Sequence, residues 1–177
     1  STPAREVGGD FFDFVRTADG KTALVLGDVA DKGISAAMVM ASSISTLRYA
    51  AEQDSSPARI LSNANNRLFH DTHKHMFVAV FFGVLDMDAG ELRFTNAGLP
   101  KPLLLRDGES YLIEWSDNGS HYPLGTQATV QYHEQSLPVQ PGDILVLYTD
   151  GVVESSDVND EEYGVKRLRD TVRAPAS

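Results

Sequence analysis

Three aspartates, each set beside glycine at the end of an apolar, strand-like run, constrain this chain more than any other feature. They are Asp10 in Gly8-Gly9-Asp10-Phe11-Phe12-Asp13, Asp28 in Leu26-Gly27-Asp28-Val29 and Asp150 in Tyr148-Thr149-Asp150-Gly151. A strand end holds a carboxylate rigidly, and glycine lets backbone or ligand come close. Carboxylates from such distant parts of one chain converge only if a sheet gathers them. Converging aspartate oxygens suit a hard divalent cation such as Mg²⁺ or Mn²⁺. Taken singly, an Asp beside Gly is an ordinary turn former. The recurrence is what points to metal.

The 177 residues fit a single domain, 1–177, and a hydrophobic content of 42% can bury a real core. There is no cysteine, so disulfides and thiolate metal sites are excluded. The sequence has no apolar run long enough for a membrane span and opens with no signal segment, which makes a cytoplasmic setting the default. The net charge is −10, from 25 acidic and 15 basic residues. That balance argues against nucleic acid and acidic lipid surfaces as partners. A phosphorylated substrate stays admissible, because a bound cation inverts the local field.

The spacing predicts strands over 11–16 and 21–27, joined by a turn at Ala18-Asp19-Gly20. A helix is expected after Gly33, capped by Ser35 and buried over its first two turns, where Ala36–Ala41 is apolar almost all round. A second helix opens at Ser56-Pro57, with Ile60, Leu61, Ala64 and Leu68 on one face. Strands follow over 77–85, 92–96, 103–105 and 111–113, then a buried strand over 144–148 and a last helix over 164–172. This order predicts an α+β fold with helices grouped on antiparallel sheet.

Seven segments occur in a fixed order along the chain. They are Pro3-Ala4-Arg5-Glu6-Val7-Gly8-Gly9-Asp10-Phe11-Phe12-Asp13, Gly27-Asp28-Val29-Ala30-Asp31-Lys32-Gly33, Met76-Phe77-Val78, Asn96-Ala97-Gly98, Pro123-Leu124-Gly125, Pro141-Gly142-Asp143 and Tyr148-Thr149-Asp150-Gly151-Val152. In that order the chain resembles the PPM family of metal-dependent, type-2C-like protein phosphatases, in its bacterial stress-response and sporulation branch. The resemblance implies a β-sandwich of two antiparallel sheets flanked by helix pairs. It implies hydrolysis of phosphoserine or phosphothreonine in a protein, using two Mn²⁺ or Mg²⁺ ions. The expected protein substrate is a phosphorylated anti-sigma-factor antagonist in a partner-switching pathway. An upstream sensor or receiver domain is expected, and a homodimer is admissible.

Residue by residue, the resemblance makes Asp28 the bridging metal ligand and gives one ion the Val29 carbonyl. Asp150 binds the other ion. Asp10 orients a metal-bound water or lies at the edge of the site, Asp13 stands behind the ligands, and Gly9 takes a position where many eukaryotic members carry an acidic ligand. Arg5 matches the offset of a phosphate-binding Arg, with a plain surface Arg as the alternative.

Three departures from the pattern stand out. The closing strand with its Asp-Asp motif does not occur before Ser177, so the fold is expected to lack its C-terminal strand here and the natural protein to continue. Ala30 stands where eukaryotic members often have a proposed general-acid His. Leu99 follows Gly98 where many bacterial members have His. The missing closing strand and Ala30 support the competing reading, a non-catalytic phosphatase-like module for binding or dimerisation. His70, His73 and His75 could bind Zn²⁺, but their place at a helix end suits favourable interaction with the helix dipole. Lys166, Arg167 and Arg169 read as a solvated helix face.

Overall fold

The computed structural model describes residues 8–71, 76–115 and 121–173. They cluster into two compact units, one from Ser1–Leu99 and Ser116–Pro138, the other from Pro100–Trp115 and Val139–Ser177.

The first unit is built on an antiparallel sheet. Its strands are β1 (Phe11–Arg16), β2 (Thr22–Val29), β3 (Val78–Asp86), β4 (Glu91–Ala97) and, beyond the two strands of the second unit, β7 (Gln135–Pro138), in the spatial order β1-β2-β3-β4-β7. The short connection around Ala18-Asp19-Gly20 fixes the β1–β2 register, with Phe11 opposite Gly27 and Arg16 opposite Thr22. Helix α1 (Ile34–Gln53) lies against β1 and β2, and α2 (Pro57–Asp71) against β3 and β4. Between helices and sheet sits one core. Val25, Val29, Val80, Phe82 and Val84 come from the strands, Leu47, Ala50 and Ala51 from α1, and Ile60, Leu61, Ala64 and Leu68 from α2. The four α2 residues are fully buried, and each large aliphatic among them contributes about 1.5–3 kcal/mol.

The second unit holds a smaller antiparallel sheet, β5 (Leu103–Arg106), β6 (Glu109–Leu112) and β8 (Ile144–Val146), in the order β6-β5-β8. The short α3 (Asp150–Val153) packs on α4 (Gly164–Arg173), and α4 packs on β5 and β6. Leu103, Tyr148 and Leu168 form its core. Asp143 takes a two-point ion pair from Arg106 across this sheet, with one arm at 2.9 Å.

Three local expectations change. Helix α1 starts at Ile34 on a Gly33 cap with no side-chain bond, not at Ser35. Its first turns are mostly exposed, with Ile34 79% and Met38 69% exposed and Ala36 alone buried there, and the rest of its burial lies later, at Ser43, Leu47, Ala50 and Ala51. A stretch that is apolar all round has no face to read, so tertiary packing decides which side is covered. The strand expected over 144–148 ends at Val146, and Ile144 is 56% exposed, because β8 pairs only with β5. Strand β7 and helix α3 carry no periodic signal. β7 ends in Pro138, which an edge strand tolerates.

The elbow between α1 and α2 is tied down by charge. Asp54 accepts two hydrogen bonds from Arg59, each 2.7 Å, and further ones from the Ser55 and Ser56 backbone N–H groups. The Arg59 bonds are the main cause that holds its carboxyl at about 2, against 3.8 ordinarily. A carboxylate depressed in this way stabilises the fold fully above its unfolded pKa and loses that contribution as pH falls through the folded value. Asp54→Asn is therefore expected to flatten the acid limb. Its thermal midpoint should fall less than that of the parent between about pH 5 and pH 2, measured by circular dichroism.

Candidate metal centre

Gly27 is required by its neighbour. A Cβ there would lie 2.2 Å from the Phe11 ring, so the ring covers the strand directly opposite. This seals the helix side of the β1–β2 pair one residue before Asp28. The next residues continue the ladder. The Val29 N–H donates to the Gly9 carbonyl at 3.3 Å, which places Gly9 opposite Val29 and Asp10 opposite Asp28. Residues directly opposite in an antiparallel pair have Cβ atoms about 4.5–5.5 Å apart. Asp10 is exposed and Asp28 half-buried.

Strand alternation assigns the faces. Phe11, Val15 and Val29 point into the helix-side core, so Asp10 and Asp28 lie on the other face. Asp13 shares the face of Phe11 and Val15. There it accepts two bonds from Arg48 of α1, at 2.6 and 2.9 Å. The Arg48 hydrogen bonds are the main cause lowering its carboxyl pKa. Asp13 therefore fastens β1 to α1.

Like charges directly opposite across strands are destabilising, and a shared cation converts that cost into binding energy. The donor set here fits one, with two carboxylates and the carbonyl of Val29. Gly9 packs tightly at that carbonyl, since a Cβ at Gly9 would sit 2.6 Å from the Val29 oxygen. Among the described residues, no group of three or more His, Asp or Glu side chains is gathered as a metal site. Asp150 belongs to the second unit, where it opens α3, exposed, after the buried Thr149. Arg5 lies outside the described residues, as do His73 and His75.

The motifs without acids form the frame of this strand end. The Ala30 N–H donates to the Phe77 carbonyl at 2.9 Å, extending the β2–β3 ladder past Val29. Val78 and Leu124 exchange backbone bonds of 3.0 and 2.8 Å. Asn96 closes its own turn through both amide atoms, to the Leu99 N–H at 2.9 Å and the Leu99 carbonyl at 2.8 Å. The Leu99 side chain, at the position of the expected His, is buried. One residue of the frame has no counterpart among the sequence motifs. Asn65 of α2 is fully buried and bonds to the loop after Leu124. Its signal is a polar side chain within the apolar stripe of Leu61, Ala64 and Leu68. In the second unit, Arg167 and Arg173 pair with Glu161 and Glu109, and Arg169 bonds to Ser110, so these arginines are held within their own unit.

Fold and strand-end carboxylates together define a PP2C-type phosphatase fold. The chain superposes on the PP2C domain of SiaA from Pseudomonas aeruginosa with a TM-score of 0.79 and 22% identity, over 94% of this chain and 66% of that one. Residues 18–177 match the family model of stage II sporulation protein E (SpoIIE), and the chain belongs to that family. It is 31% identical to Protein IcfG of Synechocystis sp., over 97% of this chain and 31% of that protein. It is 26% identical to phosphoserine phosphatase RsbU of Bacillus subtilis, over 90% of this chain and 47% of that protein. The chain thus spans less than half the length of each of these two relatives. The expected sporulation and stress-response branch and the α+β fold with antiparallel sheets both hold. Among the described residues, no helix is long and apolar enough to cross a membrane.

Proposed function

We propose that this chain is the catalytic part of a metal-dependent protein serine/threonine phosphatase, with both units serving one phosphatase domain. The observation that carries the reading is the cross-strand pair Asp10–Asp28, next to the Gly9–Val29 contact, in a chain of the SpoIIE family. Asp28 as a shared ligand, the Val29 carbonyl and Asp150 are the groups that would hold two Mn²⁺ or Mg²⁺ ions. Bound there, the ions supply a water activated near neutral pH and a clamp for the phosphoryl oxygens. Asp10 orients the attacking water. Arg5 would be the phosphate-binding Arg, with a plain surface Arg as the alternative. Ala30 offers no proton, so the leaving hydroxyl takes its proton from solvent. The substrate is a phosphorylated anti-sigma-factor antagonist, in the cytoplasm, with an upstream sensor or receiver domain setting the activity.

The second reading, a non-catalytic binding or dimerisation module, is favoured by one observation. Among the described residues no three-acid metal group is assembled. Titration of Mn²⁺ into the full chain by calorimetry, with phosphoprotein hydrolysis followed in parallel, separates the two. Saturable binding with turnover supports the phosphatase. A chain that neither binds Mn²⁺ nor turns over leaves the binding module.

A further inference from the structure

The Met76-Phe77-Val78 and Pro123-Leu124-Gly125 segments contribute no chemistry to the proposed site, yet they connect it to α2 through three sets of hydrogen bonds joined by short covalent steps of the chain. The connection starts at Asn65, which is fully buried. Its Oδ1 accepts from the Gly125 N–H at 3.0 Å, and its Nδ2 donates to the Gln127 carbonyl at 3.0 Å. Leu124, next to Gly125, exchanges two backbone bonds with Val78. Phe77, next to Val78, accepts from the Ala30 N–H at 2.9 Å. Ala30 follows Asp28 and Val29 directly.

We infer that Asn65 is a positioning residue for the Asp28–Ala30 segment, setting where the Val29 carbonyl and the Asp28 carboxylate stand. The inference rests on the proposed metal site for its consequence and on the bonds alone for its mechanics. The loop 124–127 has no regular partner strand beyond the single bridge to Val78. Asn65 supplies what a strand would, one acceptor and one donor, from a helix whose apolar face is anchored in the core. An aliphatic side chain of this size would fill the same space and leave both loop groups unbonded. The second strand of support for Ala30 would then loosen while the β2–β3 ladder further down stays intact.

The test compares Asn65→Ala with Leu68→Ala, a fully buried α2 residue of the same core whose aliphatic side chain can neither donate nor accept a hydrogen bond. Two quantities are read on the full chain. One is Mn²⁺ affinity by calorimetry. The other is the ratio of amide exchange rates of Ala30 and Val25 in metal-free protein, where Val25 in the core strand reports global opening and Ala30 past the strand end reports local opening. Asn65→Ala should raise that ratio and weaken Mn²⁺ binding, each by about tenfold, the usual size for a group that supports a metal ligand. Leu68→Ala should not raise the ratio, because global destabilisation speeds Val25 at least as much as Ala30, and should leave Mn²⁺ affinity at the parent value. A ratio for Asn65→Ala that stays at the parent value overturns the inference. Should Asn65→Ala fail to fold, Asn65→Asp decides by the same ratio, since it keeps the acceptor for Gly125 and loses the donor to Gln127. A parent chain that binds no Mn²⁺ sinks the metal reading, and the exchange ratio then decides the role of Asn65 by itself.

Discussion

Asp28→Asn is expected to lower kcat/KM on a phosphoprotein by on the order of 10³ or more, because a bridging metal ligand supports both the attacking water and the phosphoryl oxygens. A drop of that size has a trivial explanation, loss of the fold, and the structure allows the two to be told apart. Asp28 is the last polar residue of β2 before the ladder leaves the core strands, and it lies on the face away from the helix-side core. Its amide replacement keeps the backbone bonds of the strand. The metal-free variant should therefore melt within about 1 kcal/mol of the parent, the scale of one cross-strand pair. The difference should show when Mn²⁺ is added. A ligand at a hundred times its Kd stabilises the folded state by about 2.7 kcal/mol, which for a chain of this size raises Tm by about 5–10 °C. The parent should show this rise and Asp28→Asn should lose most of it. Equal stabilisation of both by Mn²⁺ would mean that the cation binds elsewhere and that the Asp10–Asp28 pair is only a feature of the open end of the hairpin.

That pair is legible in the sequence because it depends on short-range geometry alone. A tight connection at Ala18-Asp19-Gly20 fixes the register of the hairpin, and register then sets Asp10 opposite Asp28. Helix α2 is legible for a similar reason, since Ile60, Leu61, Ala64 and Leu68 repeat at the helical period and all four are buried. Elsewhere the deciding contact is distant in sequence and leaves no periodic trace. The outward turn of Ile34 and Met38 depends on which side of an all-apolar helix the sheet takes. Strand β7 exists because Gln135–Pro138 finds the edge of β4, and its own residues carry no alternation of apolar and polar side chains that marks a strand. Asn65 stands out in the sequence only as a polar residue within the apolar stripe of α2, and its partner, the loop 124–127, is remote in sequence. Asp150 shares neither hairpin nor strand with Asp28, so only the resemblance of the motifs joins them.

The position of Gly9 yields the sharpest prediction about how this chain differs from relatives that carry an acid there. Adding a ligand to a metal site ordinarily tightens it, so Gly9→Asp would be expected to help. The backbone says otherwise. A Cβ at residue 9 would meet the Val29 oxygen at 2.6 Å, the Val29 Cβ at 3.0 Å and the Val29 nitrogen at 3.1 Å. Two of these are backbone atoms of β2, which is paired with β3 on its other side, so they do not yield as a side chain would. β1 must move instead, since among the described residues it pairs within the sheet with β2 alone. Moving it opens the distance between Asp10 and Asp28 and turns the Val29 carbonyl. Gly9→Ala should therefore cost about 1–3 kcal/mol in chemical denaturation and weaken Mn²⁺ binding. Gly8→Ala should do neither, because nothing lies within 4 Å of a Cβ at Gly8. Gly9→Asp should bind Mn²⁺ no better than Gly9→Ala despite its extra carboxylate. A Gly9→Asp variant that binds Mn²⁺ more tightly than the parent would show that β1 slides freely along β2, and that the close approach of Gly9 to Val29 does not set the geometry of the site.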